Sequence, residues 1–224
     1  MFNNVRKHAF TLAEVLVTLG IIGIVSAMTI PSLTQSWQKQ AYVTQLKKVY
    51  SQLSQAAELA IQNEKVISLD ESKYSNNRTG GKEFLKDYFK IVKDCDTASG
   101  CFSNSYRNID GSQVNTSHFI EYTPSVVTAD GVAIGIYGSG WDFSNISSDD
   151  HGYQGYYVDI NGQKGPNIVG RDFFYLEVYS DGKVSESYEP VPDSEKGCQC
   201  RDGGCGYGVG CFSNILTSGW SMDY

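Results

Sequence analysis

The first strong pattern along the chain is an apolar run close to its N-terminus. Between Phe10 and Ile30 only a few residues interrupt it: Thr11, Glu14, Thr18, Ser26, Thr29 and two glycines. At about 1.5 Å per residue, a helix of this length spans about 30 Å, the thickness of a bilayer's hydrocarbon core. The run therefore predicts a membrane-spanning helix over residues 10–31.

Basic residues lie on one side of this run. Arg6 and Lys7 precede it and no comparable cluster follows it, so the positive-inside rule predicts a cytoplasmic N-terminus and an extracytoplasmic remainder. A secretory signal peptide is the alternative, but its apolar core covers about 7 to 15 residues. The longer run here, followed by more helix, favours a single-pass inner-membrane protein.

Beyond Pro31 the pattern changes from apolar on all sides to apolar on one side. Apolar residues recur at spacings of three and four, which is typical of one face of a helix: Tyr42, Leu46, Val49, Tyr50, Leu53, Ala56, Ala57, Ala60 and Ile61. The sequence predicts one helix from Phe10 to about Asn63, bent but not ended by Pro31. Its amphipathic half, residues 32–64, needs a partner to cover the apolar face.

The next part of the chain, residues 65–189, alternates between short helix and strand signals. A polar linker near residues 72–81 precedes KEFLKDYFKIVKDC, which predicts a short amphipathic helix. Strands are predicted in HFIEY, VVTADGVAIGIY, GYYVDI, DFFYLEVY and KVSESY, separated by Asp-Gly and Asn-Gly turns. We expect an α+β fold with antiparallel strands packed on the amphipathic half of the long helix.

Composition and charge exclude several functions. Without residues 1–9 the chain has 16 basic against 25 acidic residues, an acidic balance that disfavours nucleic acid as a partner. The sequence contains no G-x-S-x-G, P-loop or H-E-x-x-H motif, and His118 and His151 lie in no nucleophile setting. We expect a protein that is not an enzyme and has no catalytic residues.

All six cysteines follow the predicted membrane span: Cys95, Cys101, Cys198, Cys200, Cys205 and Cys211. An even number in an oxidising compartment favours disulfides, with 15 complete pairings. Cys95 and Cys101 could close a local loop, and the other four lie in the Cys- and Gly-rich tail, residues 190–224, where cross-links would compensate for few apolar residues. Zinc is the rival interpretation, but paired Cys-x2-Cys knuckles are absent.

Glu14 needs an explanation, because a charged side chain inside a bilayer costs at least about 2.5 to 3.5 kcal/mol near the centre and less near the edge. The span offers no cation. Its partner must be a lipid head group, another subunit or a charge created by processing. Cleavage before Phe10 would create such a charge, an α-amino group.

The segment from Lys7 to Pro31 resembles the leader and hydrophobic helix of type IV pilins and type II secretion pseudopilins. The similarity lies in a basic leader, a small residue at the cut, Phe-Thr-Leu-x-Glu and a later proline: Arg6, Lys7, Ala9, Phe10, Thr11, Leu12, Glu14 and Pro31. Alanine at the cut differs from the family's more usual glycine. The resemblance implies that residues 1–9 are a leader removed by prepilin peptidase between Ala9 and Phe10, and that the Phe10 amine is methylated.

The same resemblance implies how copies assemble. Glu14 would meet the Phe10 amine of a neighbouring subunit as helices bundle, with Thr11 and Leu12 in the assembly segment and an inner-membrane platform as a further partner. The filament would be a type IV pilus, with this chain as a major or minor subunit, or a secretion pseudopilus. The alternative is a membrane-tethered adhesin or binding module outside any filament, because the outer domain is rich in tyrosine and glycine.

One oxygen-rich loop, DINGQKGPNIVGRD, is a candidate for calcium. It places Asp159, Asn161 and Asp172 close together in the sequence. Some pseudopilins that resemble this chain bind calcium in their C-terminal region. The EF-hand pattern does not fit, because it needs glycine at its sixth position and glutamate at its twelfth, whereas here Gly162 is fourth and Gly170 is twelfth. A structural hairpin is the other interpretation, and no other cofactor is expected.

Overall fold

The structure is a computed structural model that describes residues 11–75, 77–137, 152–186 and 210–224. Its contacts divide the chain into two compact units, Met1–Ala41 and Tyr42–Tyr224. One helix, α1 (Leu12–Glu64), contributes residues to both units. The sequence prediction of a single long helix is therefore confirmed, to within two residues at each end.

The part of α1 in the second unit is amphipathic, as its spacing predicts. Its buried face consists of Val43, Leu46, Val49, Leu53, Ala56, Ala57 and Ala60. Tyr42, Tyr50 and Ile61 are partly buried at the margins of the same core. Complete burial of a leucine stabilises a fold by about 1.5 to 3 kcal/mol, so Leu46 and Leu53 are major contacts between α1 and the rest of this unit.

A six-stranded antiparallel sheet supplies the other side of this core. Its strands run in sequence order from one edge to the other: β1 (Ile91–Cys95), β2 (Ser125–Thr128), β3 (Ala133–Tyr137), β4 (Tyr153–Asp159), β5 (Phe173–Tyr179) and β6 (Val184–Ser185). Alternate residues of the central strands, such as Ile134, Val158 and Leu176, join the α1 face in one core. The expected α+β architecture, a long helix on an antiparallel sheet, is confirmed.

The opposite face of the sheet is covered by the long connection between β1 and β2. Phe102 and Phe119 from this connection pack edge to face, with ring centroids 5.0 Å apart. Phe119 also contacts Tyr157 and Phe173 on the sheet. This second core forms because both faces of β4 and β5 carry large apolar or aromatic side chains.

The local predictions for HFIEY, for KEFLKDYFKIVKDC and for the linker near residues 72–81 differ from the structure. HFIEY lies in a helix, α3 (Ser117–Tyr122), where Asn115 Oδ1 accepts hydrogen bonds from the Ser117 backbone N–H and hydroxyl just before it starts. The prediction of a strand was wrong because the segment buries Phe119 alone, with no alternation to align it in a sheet. KEFLKDYFKIVKDC is helical only in its first part.

That helix is α2 (Asn77–Tyr88), and it begins inside the predicted linker. The chain leaves it before Ile91 and enters β1, which pairs with β2. Gly80 and Gly81 look like linker residues, but they lie within the helix where neighbours approach closely. A Cβ at Gly80 would collide with the Tyr74 carbonyl, and one at Gly81 would lie 2.7 Å from the Gln154 side chain.

The end of the Cys- and Gly-rich tail differs from the expectation that packing contributes little to it. Helix α4 (Cys211–Thr217) buries Phe212 and Ile215 in the main core. Trp220 follows with its ring 5.4 Å from that of Tyr50 on α1. Apolar residues spaced three and four apart near the C-terminus therefore anchor this segment by packing.

A disulfide joins Cys95 and Cys101, as the sequence suggested. It connects the end of β1 to the loop that begins the second core, and both sulfur atoms belong to buried residues. Cys211 is also disulfide-bonded. The other three predicted disulfide residues, Cys198, Cys200 and Cys205, lie outside the described residues.

Replacing Cys95 and Cys101 together with serine should lower the free energy of unfolding by about 2 kcal/mol, since a bond closing a loop this short restricts the unfolded chain modestly. Urea denaturation of the full-length chain in detergent measures the change. The matched control is Ser99→Ala, an exposed position in the same loop. Equal stability of the double variant and the parent would contradict a stabilising role for this bond.

Candidate functional site

The acidic residue of the apolar run lies at the start of α1. The Glu14 Oε2 atom accepts hydrogen bonds from the Thr11 backbone N–H and hydroxyl, both at 2.9 Å, and the Glu14 N–H donates to Thr11 Oγ1 at 3.2 Å. This reciprocal pair is a capping box, which satisfies backbone groups at a helix N-terminus. The T-x-x-E spacing carries the signal, but the sequence interpretation assigned Thr11 only to assembly.

One oxygen of Glu14 remains available within this arrangement. Oε2 accepts both hydrogen bonds from Thr11, and no described residue donates to Oε1. Capping by neutral donors leaves the carboxylate charge uncompensated among the described residues. The geometry can therefore serve two purposes at once, helix capping through Oε2 and pairing with an external cation through Oε1.

The apolar half of α1 is exposed over its whole length. Large side chains such as Leu16, Ile22 and Ile30 are about 60% exposed, at 61%, 59% and 59%. Within the described residues, α1 is the one helix long and apolar enough to cross a membrane, and none of its most apolar window is buried. Pro31 lies inside α1, which continues beyond it. The bend predicted at Pro31 stays a prediction.

The other residues of the predicted processing site lie outside the described part of the chain. They are Arg6, Lys7, Ala9 and Phe10. Their roles as basic leader, cleavage site and methylated residue rest on the sequence. Leu12 is the first residue of α1 and is 78% exposed.

The structure brings the predicted calcium residues together in the loop between β4 and β5. Asp172 accepts hydrogen bonds from the backbone N–H groups of Asn167 at 2.7 Å and Ile168 at 2.5 Å, and from Asn161 Nδ2 at 3.2 Å. Asp159 Oδ2 accepts a hydrogen bond from the Tyr106 hydroxyl, with the two oxygen atoms 2.5 Å apart. Burial raises the pKa of both carboxyl groups, and charge repulsion from Asp172 raises the pKa of Asp159 further.

These contacts hold the loop through hydrogen bonds among its own residues. Among the described residues, no group of three or more His, Cys, Asp or Glu side chains could hold a metal. Two buried amide oxygens, Asn161 Oδ1 and Asn167 Oδ1, do lack a hydrogen-bond partner. Calcium binding by Asp159, Asn161 and Asp172 stays a prediction.

A further buried acid was missed by the sequence interpretation. The Glu186 carboxylate, which is 3% exposed, accepts a hydrogen bond from the Ser213 backbone N–H at 2.8 Å, at the start of α4. Burial raises the pKa of Glu186 to about 7, although the backbone donors of Ser213, Gly210 and Phe212 oppose this rise. No local motif marks such a residue, because its partner lies 27 positions away.

The histidine within the described residues, His118, is exposed on α3 with its ring 4.9 Å from that of Tyr122. His151 lies outside the described residues. Together, a helix with an exposed apolar half, an amphipathic half packed on an antiparallel sheet, and a disulfide define a pilin-like α+β protein.

Comparison with known proteins finds a family motif near the N-terminus of the chain. Residues 4–30 match the family described as the prokaryotic N-terminal methylation motif. This motif is the signature of type IV pilins and pseudopilins, and it supports a pilin-like precursor that is processed by a peptidase. No curated protein and no solved structure matches the chain significantly.

Proposed function

We propose that this protein is a structural subunit of an extracytoplasmic filament, either a type IV pilus or a type II secretion pseudopilus. The observation that carries the proposal is the coincidence of the methylation motif, residues 4–30, with an exposed apolar helix that contains Glu14. A helix of this kind can be stored in the inner membrane and then packed against identical helices. Its role is assembly and not catalysis.

Processing supplies the positively charged partner that Glu14 needs. Prepilin peptidase cuts between Ala9 and Phe10, and the new Phe10 amine is methylated and stays cationic. A neighbouring copy then places this amine beside Glu14, so that two charges buried among apolar helices neutralise each other. Because the pair forms between copies, it also sets the axial position of one subunit against the next.

The localisation follows from the same features. Arg6 and Lys7 keep the N-terminus in the cytoplasm, and the unit Tyr42–Tyr224 lies outside the membrane. An oxidising compartment is consistent with the Cys95–Cys101 disulfide. The inner-membrane assembly platform and other pilin subunits are the partners of the mature chain.

Mass spectrometry of the native N-terminus, combined with electron microscopy of sheared surface or periplasmic fibres, tests the proposal. We expect a mature chain that begins at methylated Phe10 and is present in fibres. An Ala9→Gly variant, which restores the more usual residue, should be processed at least as fast. Recovery of the chain with residues 1–9 attached, and never in fibres, would contradict the proposal.

A further inference from the structure

One apolar side chain of the outer unit, Tyr42–Tyr224, is almost completely exposed. Ile67, which lies between α1 and the short helix Leu69–Glu71, is 88% exposed. The loop that carries it is firmly held. Leu69 beside it is completely buried and its N–H donates to the Ser180 carbonyl at 2.8 Å, while Glu71 Oε2 accepts from the Ile67 N–H at 3.3 Å. The fold therefore presents Ile67 as a fixed apolar projection.

The same unit contains a groove of about 420 Å³ between α1, α2 and the β2–β3 turn. Its apolar lining includes Leu59, which is 47% exposed, and Tyr88, which is partly buried. An ion pair between Lys48 and Asp130, with Nζ and Oδ2 2.7 Å apart, joins two of its walls. The volume lies in the range of pockets that enclose a ligand or an inserted side chain.

The charges beside the projection and the groove differ in balance, because residues 64–73 carry three acidic and two basic side chains and the groove lining carries two basic and one acidic. Glu71 is exposed next to Ile67, and Lys90 is exposed in the lining of the groove. Within the described residues neither side chain takes part in an ion pair. An apolar projection with an adjacent carboxylate thus matches an apolar groove with an adjacent ammonium group.

We propose that Ile67 of one copy of this chain inserts into the groove of the next copy, with Glu71 beside Lys90. This inference rests on the proposed filament function and adds a contact between the outer units to the one between the apolar helices. Because the projection and the groove involve different residues, each copy can donate one and accept the other. Such a head-to-tail contact does not close on itself as a two-fold dimer and can extend into a helical assembly.

Site-directed cross-linking in cells that assemble the full chain tests the contact. One copy carries Leu59→Cys and a differently tagged copy carries Ile67→Cys, and a short bis-maleimide joins thiols that are close together. We expect a mixed dimer from the two copies, and a ladder of multimers when one chain carries both substitutions. The matched control replaces Ile67→Cys with Tyr122→Cys, which is 55% exposed on α3 and should give no mixed dimer.

A charge reversal gives an independent readout. Lys90→Glu should lower the amount of chain recovered in sheared fibres several-fold, and Glu71→Lys in the same chain should restore it. Both positions are exposed, so neither substitution should unfold the monomer, although Glu71→Lys also removes the exposed hydrogen bond from the Ile67 N–H.

The outcomes separate this contact from the proposed function. Fibres that contain the chain but give no mixed dimer between positions 59 and 67 would overturn the contact and leave the filament function intact. Cross-linking of position 59 only to a different protein would also overturn it. Absence of the chain from all fibres would overturn both proposals.

Discussion

Replacing Glu14 with alanine should remove the chain from filaments while leaving it in the membrane. A charge-assisted hydrogen bond between a carboxylate and an amine contributes about 1.5 to 3 kcal/mol, so we expect incorporation to fall about tenfold or more. The measurement is the fraction of chain in sheared fibres, quantified by immunoblot, with membrane-bound chain and N-terminal processing followed in parallel. A tethered adhesin that does not enter filaments would behave the same with or without Glu14.

Two further variants separate charge pairing from helix capping. Glu14→Gln keeps an oxygen that can accept the Thr11 bonds, which are 2.9 Å long in the parent, but it removes the charge. We expect it to assemble as poorly as Glu14→Ala. Thr11→Ala removes a capping partner worth about 1 kcal/mol and should have the smaller effect. Thr18→Ala is the matched control, because the Thr18 hydroxyl donates to the Val15 carbonyl within the same helix and not to Glu14. Normal assembly of Glu14→Gln would show that capping, not charge, is what Glu14 provides.

The second large effect is a loss of stability of the outer unit as the pH rises. The pKa of Glu186 is about 7 in the folded protein against 4.5 for an ordinary glutamate, because the carboxyl group is buried. Below about pH 4, Glu186 is protonated in both the folded and the unfolded chain, and the full stability is present. Between pH 4.5 and 7, Glu186 is ionised in the unfolded chain but still protonated in the folded protein. The free energy of unfolding therefore falls with rising pH until Glu186 ionises in the folded protein as well. At about 1.4 kcal/mol per pKa unit, the fall is about 3 kcal/mol.

Urea denaturation of the full-length chain in detergent at pH 4.5, 6 and 8 measures this effect. Glu186→Gln should flatten the dependence, adding only a constant offset from the amide next to the buried Ser213 N–H. Burial also raises the pKa of Asp159, Asp172 and Glu177, so a dependence of the same sign remains in the variant. The difference between the parent and the variant isolates Glu186. The exposed Glu58→Gln is the control, and identical pH dependence in the parent and Glu186→Gln would contradict the assignment.

The two predictions rest on different kinds of evidence. Glu14 was found from sequence, because a carboxylate in an apolar run is anomalous without any knowledge of the fold. Glu186 was not found from sequence, since nothing near it in the chain distinguishes it from a solvated glutamate. Its pKa depends on α4 lying over its carboxylate, and that contact joins residues 27 positions apart.

The sequence by itself determined the long helix, its buried face and most of the strands. Spacings of three and four placed Leu46, Leu53 and Ala57 on one side of α1, and Asp-Gly turns such as Asp181–Gly182 separated neighbouring strands, because these signals act over a few residues. It also determined the processing motif, which is a local string of residues.

Only the tertiary structure decided the rest. It determined that α3 is a helix, that β1 follows α2, and that Tyr106 bonds to Asp159 across 53 positions. It also determined that Ile67 projects from the surface while the nearby Leu69 is buried. These features arise from packing and hydrogen bonds between segments that are distant in the chain, and such contacts leave no periodic pattern in the sequence.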